Sequence, residues 1–210
     1  SIVKYTGTGS AGSVGHGLGV KPDWIISKNT SSGDWNVYHD SFSAQERIKL
    51  NSSAAKNTNA SIFSSLPTNQ VVNIGTGGDI NTSGNTHLFY CFASITGYSK
   101  FGSYTGNTNN GDGTFVYTGF KPAFIMVKNT ARSQNWSMHD SKRPGYNEVN
   151  QRLQANLSDA EASNNKVDLL SNGFKWRTND GDTNGYAEQH IYMAFGQSLV
   201  GSNNVPCTAR

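Results

Sequence analysis

The sequence predicts an all-β protein built from two tandem β-sandwich units of about 100 residues each. Two observations lead to this prediction. The chain repeats itself once, in sequence order, and its apolar residues fall in short segments separated by turns rich in Gly, Asn and Ser. Many short strands at regular spacing are typical of a β-sandwich or a jelly roll.

The internal repeat covers most of the chain. The offset between copies drifts only from 99 to 103, so the copies are collinear and predict units at 1–98 and 99–204, followed by a tail at 205–210. The units are expected to pack as two similar sandwiches or as the halves of one pseudo-symmetric sandwich. The repeated blocks are Tyr5-Thr6-Gly7 with 104–106, 19–30 with 119–130, 39–41 with 139–141, and 87–93 with 190–196.

Short segments rich in Ile, Val and aromatic residues predict the strands. Two of them follow a Lys-Pro pair, which disfavours the start of a helix. Two others are nearly continuous apolar runs, which favour central strands buried on both faces. Segments that alternate polar and apolar residues favour half-buried strands. The predicted strands are 24–28, 47–51, 87–95, 124–128, 151–157 and 189–195, with a hairpin at 168–176.

Two repeated features disagree by one residue in their offsets. Trp35 and Trp136 lie 101 residues apart, whereas the His-Asp-Ser triplets at 39–41 and 139–141 lie 100 apart. If both Trp side chains face the core, as expected, one strand must contain a bulge. The triplets do not predict a catalytic triad, because adjacent residues of a strand point to opposite faces. No catalytic residue is predicted.

Charge and cysteine content exclude several classes of protein. The net charge is +3, only 15% of residues are charged, and the Lys and Arg residues are scattered singly among acidic ones. Nucleic acid is therefore not an expected partner, and no apolar run is long enough to predict a membrane span. Cys91 and Cys207 lack the spacing of a zinc site. Cys91 lies in an apolar run and is expected to pack as a small buried hydrophobe.

A set of motifs runs through both units. The motifs are 104–107, 115–122, 125–128, 170–175 and 190–195, with 17–24 and 79–86 in the first unit. Together they resemble a repeat domain of tailed-phage and marine viral proteins, found near the C-terminus of tail-fibre, tail and other virion proteins. The resemblance extends over essentially the whole chain. It implies a concanavalin-like sandwich, display on the virion surface, other virion proteins as partners and a homotrimer, and it supplies no catalytic residue.

Three functions are compatible with this resemblance. The first is a distal tail-fibre module that binds glycans on the host surface. The second is a head-decoration or tail-assembly protein without a host ligand. The third is a glycan-degrading tail enzyme, but glycosidases need two carboxylates at a defined separation, and no acidic pair recurs in both units. The protein is therefore expected not to be an enzyme.

Two binding sites are considered. Asp180, Asp182 and Asn184 match the first half of a calcium loop, but the twelfth position is Ile191 where that loop has a bidentate Glu. The alternative is a hairpin loop in which these side chains bond their own backbone. No other cofactor is expected. Trp176 has no counterpart in the first unit and is the candidate for an exposed aromatic that contacts a ligand.

Overall fold

The computed structural model describes residues 1–197. The chain divides into two compact units, of which the first is Ser1–Ala93 and the second begins at Ser94. The described residues form antiparallel strands and one helix of four residues, so the all-β prediction is confirmed. No helix within residues 1–197 is long and apolar enough to cross a membrane.

The first unit contains one large and one small sheet. Its elements are β1 (Ile2–Thr6), β2 (Gly12–Gly15), β3 (Trp24–Asn29), β4 (Asn36–His39), β5 (Glu46–Lys49), β6 (Asn57–Thr58), β7 (Val71–Ile74), α1 (Gly78–Asn81) and β8 (Thr86–Phe92). The large sheet has the order β1-β8-β3-β4-β5-β6, and the small sheet pairs β2 with β7.

The core of the first unit contains side chains from both sheets and from α1. Full burial of each large apolar side chain contributes about 1.5–3 kcal/mol. Because successive residues of a strand alternate between faces, every second residue of β8 is buried. The buried residues include Ile25, Tyr38, Phe63, Val72, Ile80, Phe89 and Cys91.

The second unit contains a four-stranded and a three-stranded sheet. Its strands are β9 (Ser99–Thr105), β10 (Phe115–Tyr117), β11 (Pro122–Asn129), β12 (Ser137–Asp140), β13 (Val167–Leu170), β14 (Gly173–Trp176) and β15 (Gln189–Gly196). The sheets have the orders β12-β11-β15-β9 and β10-β14-β13. The hairpin predicted at 168–176 is confirmed as β13 and β14.

Aromatic side chains dominate the core of the second unit, which both of its sheets supply. Tyr192 and Trp176 each meet the Phe174 ring edge-on, at centroid distances of 5.5 and 5.7 Å. Such aromatic pairs add about 0.5–1.5 kcal/mol beyond the area that they bury. The buried residues include Tyr104, Val116, Ile125, Val127, Leu169, Phe174, Trp176 and Tyr192.

One contact explains two of the repeated motifs. Tyr5 of β1 stacks on His87 of β8 with ring centroids 5.3 Å apart, and Tyr104 of β9 stacks on His190 of β15 at 5.0 Å. In both units this pair joins the edge strand to the neighbouring strand of the same sheet. The tyrosine and histidine motifs recur because each unit uses them for the same strand pairing.

The bulge expected from the Trp and His offsets is not found. β3 pairs with β4, and β11 with β12, without a register shift. Ile25 lies opposite Tyr38 and Ile125 lies opposite His139. His139 therefore occupies the position of Tyr38, and the two His-Asp-Ser triplets are not equivalent in structure. A slip of one residue would turn core side chains outward, so the strand pairing determines the alignment.

Two other expectations are wrong. Residues 151–157 form no strand, since only isolated bridges occur at Arg152 and Leu153. Trp136 is fully buried as predicted, but Trp35 is only half-buried and carries the Lys28 ammonium 5.7 Å from its ring centroid. The Trp35 ring is therefore stabilised by its contact with the Lys28 ammonium and not by burial in the core.

The glycine of the repeated Tyr-Thr-Gly motif lies where a larger residue does not fit. A Cβ atom at Gly106 would collide with the carbonyl oxygen of Tyr186, and backbone cannot move aside as a flexible side chain does. We expect Gly106→Ala to lower the free energy of unfolding by about 1–3 kcal/mol, measured by urea denaturation. Gly12→Ala is the control, because its Cβ would lie 3.9 Å from the nearest atom. Equal stability of the two variants would contradict this explanation.

Candidate functional site

The two carboxylates expected to bind calcium face an arginine. Arg152 Nη1 lies 3.0 Å from Asp182 Oδ2 and 3.3 Å from Asp180 Oδ1. Asp182 also accepts a hydrogen bond from Gln154 Nε2 at 2.9 Å and one from the backbone N–H of Asn135 at 2.7 Å. Burial raises the pKa of the Asp182 carboxyl. The guanidinium supplies the positive charge that the sequence pattern assigned to a metal ion.

The third expected ligand, Asn184, is fully buried and uses its amide within the protein. Its Oδ1 accepts from the backbone N–H of Asn107 at 3.1 Å and of Thr114 at 3.2 Å. Its Nδ2 donates to Asn107 Oδ1 at 2.9 Å and to the carbonyls of Asn109 and Thr178, both at 3.1 Å. This amide ties the loop before β10 to the loop before β15.

The first unit contains the same amide contact. Asn81 Oδ1 accepts from the Thr8 N–H at 2.8 Å, and its Nδ2 donates to the carbonyls of Ser10 at 2.7 Å and Gly75 at 2.9 Å. The acidic loop therefore has a structural role in both units. Within residues 1–197, no group of three or more His, Cys, Asp or Glu side chains is placed to hold a metal ion.

The expectation that Trp176 lies at the surface is wrong. Its side chain is fully buried, and the ring packs edge-on against Phe174 and against His139, at 5.6 Å for the histidine. β14 is the middle strand of its sheet, and Trp176 points from it into the core. The turn at 171–173 brings this residue into the sandwich rather than out to solvent.

The His-Asp-Ser triplets make local contacts in which each aspartate has a cation of its own. Asp40 pairs with Lys21 at 2.6 Å, and Asp140 pairs with Arg143 at 2.6 Å. His139 is fully buried. The carboxylates are thus directed away from the role that a triad requires, which is to orient the imidazole.

Cys91 behaves as predicted. It is 1% exposed in the core of the first unit, and burial raises the pKa of its thiol to about 11. Such a thiol is protonated at neutral pH and chemically inert. Cys207 and the predicted tail at 205–210 lie outside the described residues.

A cavity of about 230 Å³ lies in the second unit, beside the loop that follows β12. Asn147 anchors this loop, since its side chain accepts from the Leu169 N–H at 3.0 Å and donates to the Leu169 carbonyl at 3.1 Å. Val149 pairs with Val167 through two backbone hydrogen bonds of 2.9 Å. The cavity is lined by Lys121, Ser141, Gly145, Tyr146, Asn147, Val149 and Leu169.

Tyr146 is the most exposed large apolar residue in the described part of the chain, at 80%. Two other exposed aromatic residues lie over glycines. The Phe115 ring comes within 3.1 Å of the position that a Cβ of Gly173 would occupy, and the Tyr117 hydroxyl within 3.6 Å of that of Gly119. Gly173 belongs to β14, and an aromatic ring that covers a strand glycine in this way stabilises the strand. Tyr146 instead lines the cavity, where its ring is available to a ligand.

Ser141 corresponds in position to Asp40 of the first unit. The N–H of Asp40 bonds to the carbonyl of Asp23, and the N–H of Ser141 bonds to that of Ala123. Each residue directly follows the strand that pairs with β3 or with β11. The pairing that displaces the His-Asp-Ser triplets by one residue thus places a serine where the first unit has an aspartate.

The cavity loop is longer than its counterpart in the first unit. β4 and β12 pair with segments that contain Arg47 and Arg152, and each arginine approaches a carboxylate of the acidic loop. Six residues separate Asp40 from Arg47, whereas ten separate Ser141 from Arg152. None of the motifs in the sequence points to this loop. The increase in the repeat offset across it was the available signal.

The buried ion pair predicts a large loss of stability on mutation. Removing one partner leaves a charge in a low-dielectric site, so we expect Arg152→Met to lower the free energy of unfolding by about 3–5 kcal/mol. Lys166→Met is the control, because the Lys166–Glu148 pair is roughly half exposed and contributes no more than about 1 kcal/mol. Similar urea midpoints for both variants would show that Arg152 is not structurally essential.

The buried histidines predict acid lability. Burial lowers the pKa of His139 to about 3 and that of His190 to about 4. Both rings stay neutral in the folded protein, whereas the unfolded chain gains protons below a pKa of about 6.5. Stability is therefore complete above pH 6.5 and falls toward pH 4, by at most about 1.4 kcal/mol per pH unit for each ring.

Urea denaturation at pH 7 and pH 5 measures this effect. His190→Gln should reduce the difference in stability between the two pH values, even if it lowers stability at both. An identical free energy of unfolding at pH 7 and pH 5 in the unmodified protein would refute the assignment.

Comparison with known proteins gives one family. A family model described as Domain of unknown function (DUF7483) matches residues 1–198. No curated protein and no solved structure matches the chain. The matched range includes the strands of both units, the acidic loops and the cavity loop. On this coverage, the chain belongs to the DUF7483 family.

Proposed function

We propose that this chain is a surface domain of a bacteriophage virion, located at the distal part of a tail fibre, where it binds glycans of the host cell. The resemblance of its motifs to virion proteins supports the viral assignment. The observation that carries the binding function is the cavity beside Tyr146, where an exposed aromatic ring adjoins the polar side chains of Ser141, Asn147 and Lys121. Binding sites commonly lie on loops that a rigid scaffold positions.

The proposal includes a duplication of the scaffold. The order β1-β8-β3-β4 in the first unit matches β9-β15-β11-β12 in the second. The Tyr–His stack and the buried asparagine recur at matching places. We infer that the two units are homologous concanavalin-like sandwiches, of which the second carries the ligand site.

The charges of the chain favour binding over hydrolysis. Of the 14 acidic residues, at least 12 lie in ion pairs with Lys or Arg. A glycosidase needs one carboxyl group as acid and another as nucleophile or base. The residues that line the cavity include no carboxylate. This composition suits a site that holds a sugar by stacking and hydrogen bonds.

Removal of the exposed ring tests the site. We expect Tyr146→Ala to weaken binding to host surface polysaccharide by about fivefold to tenfold, because an aromatic ring stacked on a sugar contributes roughly 1–1.5 kcal/mol. Tyr117→Ala is the control, since Tyr117 is 65% exposed but does not line the cavity. Binding is measured on immobilised polysaccharide and on a glycan array with both purified variants.

Three other outcomes would contradict parts of the proposal. Loss of binding in the Tyr117 variant alone would place the site elsewhere. Absence of binding to any glycan would exclude the attachment function and favour a structural role in the virion. Release of oligosaccharides from the polysaccharide would show that the domain is an enzyme.

A further inference from the structure

We propose that the cavity beside Tyr146 binds a carboxylate-bearing sugar and that Lys121 pairs with the sugar carboxylate. This inference rests on the proposed glycan-binding function and specifies its ligand. It follows from a comparison of the cavity with the corresponding place in the first unit, where a lysine of the same motif has an aspartate partner.

Equivalent lysines of the two units differ in their ion pairs. Lys21 and Lys121 both precede the proline of the repeated Lys-Pro pair. In the first unit, Lys21 Nζ lies 2.6 Å from Asp40 Oδ1. In the second unit the position of Asp40 is taken by Ser141, which lines the cavity together with Lys121. The aspartate that would neutralise Lys121 has thus been replaced by a neutral hydroxyl.

The carboxylates near the cavity are already committed to other cations. Asp140, which precedes Ser141, pairs with Arg143 Nε at 2.6 Å. Glu148, which follows Asn147, pairs with Lys166 at 2.9 Å. Lys121 and the neighbouring Lys142 have no ion pair with any described residue. Arg143 is also paired with Glu161, so the four cations Lys121, Lys142, Arg143 and Lys166 lie with three carboxylates, and one positive charge is left to attract an anionic ligand.

The polar side chains that line the cavity can all donate a hydrogen bond. The ammonium of Lys121 has three N–H donors, and the Ser141 and Tyr146 side chains each contain a hydroxyl. The Oδ1 atom of Asn147 already accepts from Leu169, while one Nδ2 proton remains beyond the bond to the Leu169 carbonyl. Carboxylate oxygens are acceptors only, so this lining suits them better than a neutral hydroxymethyl group.

The pyranose ring of the sugar would lie against Tyr146. An exposed aromatic ring contacts the apolar C–H face of a pyranose, and Tyr146 provides such a ring at the cavity rim. With Lys121 opposite a carboxylate, the ring and the charge fix two separate points of one monosaccharide. This arrangement distinguishes a uronic acid from the corresponding hexose by one charge-assisted hydrogen bond.

Two probes that differ in one group test the inference. The dissociation constants of methyl β-glucuronide and methyl β-glucoside are measured by NMR titration of the purified protein at low and high salt. We expect the glucuronide to bind about tenfold more tightly, as a charge-assisted hydrogen bond implies. The ratio should shrink as salt rises, because exposed charges are screened.

Three variants test which lysine causes the preference for the glucuronide over the glucoside. Lys121→Gln should remove the preference for the glucuronide, and Ser141→Asp should also remove it by restoring the ion pair of the first unit. Lys21→Gln is the matched control, because it changes the equivalent lysine in the unit without the cavity loop, and it should keep the unmodified ratio. Circular dichroism verifies that each variant is folded.

The outcomes separate the inference from the proposed function. Equal binding of both probes, or a preference that survives in Lys121→Gln and Ser141→Asp, would overturn the inference and leave glycan binding intact. Binding of neither probe, together with no binding on the glycan array, would remove the proposed function and the inference with it. A preference lost only in Lys21→Gln would place the anionic site in the first unit.

Discussion

The fold of each unit depends on one buried amide. Asn81 in the first unit and Asn184 in the second tie the loop before the last strand to the loop after the first strand. With this loop fixed, Tyr5 and Tyr104 reach its carbonyls with their hydroxyls, at 2.5 and 2.6 Å, while their rings stack on the histidines. A buried asparagine amide without hydrogen-bond partners would cost about 1–3 kcal/mol of stability at either place. The hydrogen bonds of Asn81 and Asn184 therefore hold the two loops of each unit together.

Local patterns predicted seven of the fifteen strands in the described residues, because the core strands are short apolar segments. β3, β11, β15 and the β13–β14 hairpin were all expected within a few residues of their bounds. The strand predicted at 151–157 was wrong because an alternating pattern does not by itself ensure burial. Residues 151–157 alternate like a strand, but Leu153 and Leu157 are 37% and 43% exposed. Alternation shows which residues would share a face, and only the contacts of that face with other elements decide whether it is buried.

The candidate sites were harder to predict, because their partners lie far away in sequence. Asp180 and Asp182 have the spacing of calcium ligands, but Arg152, 28 and 30 residues before them, pairs with both. The environment of Trp176 depends likewise on Tyr104 and His139 from other strands. In contrast, Cys91 was predicted correctly, since the apolar run around it determines its burial. Chemistry that depends on distant partners requires the fold to be known.

The features that both units share differ from those found only at the cavity. The strand pairings, the stacked rings and the buried amides recur in both units, so they serve folding. The connection from Ser141 to Arg152 differs, and it adds four residues to the six between Asp40 and Arg47. A surface ion pair such as Lys21–Asp40 contributes no more than about 1 kcal/mol, so its loss at Lys121 costs little stability. The second unit therefore contains a lysine without an ion pair among the described residues and a longer loop, while its strand order matches that of the first unit.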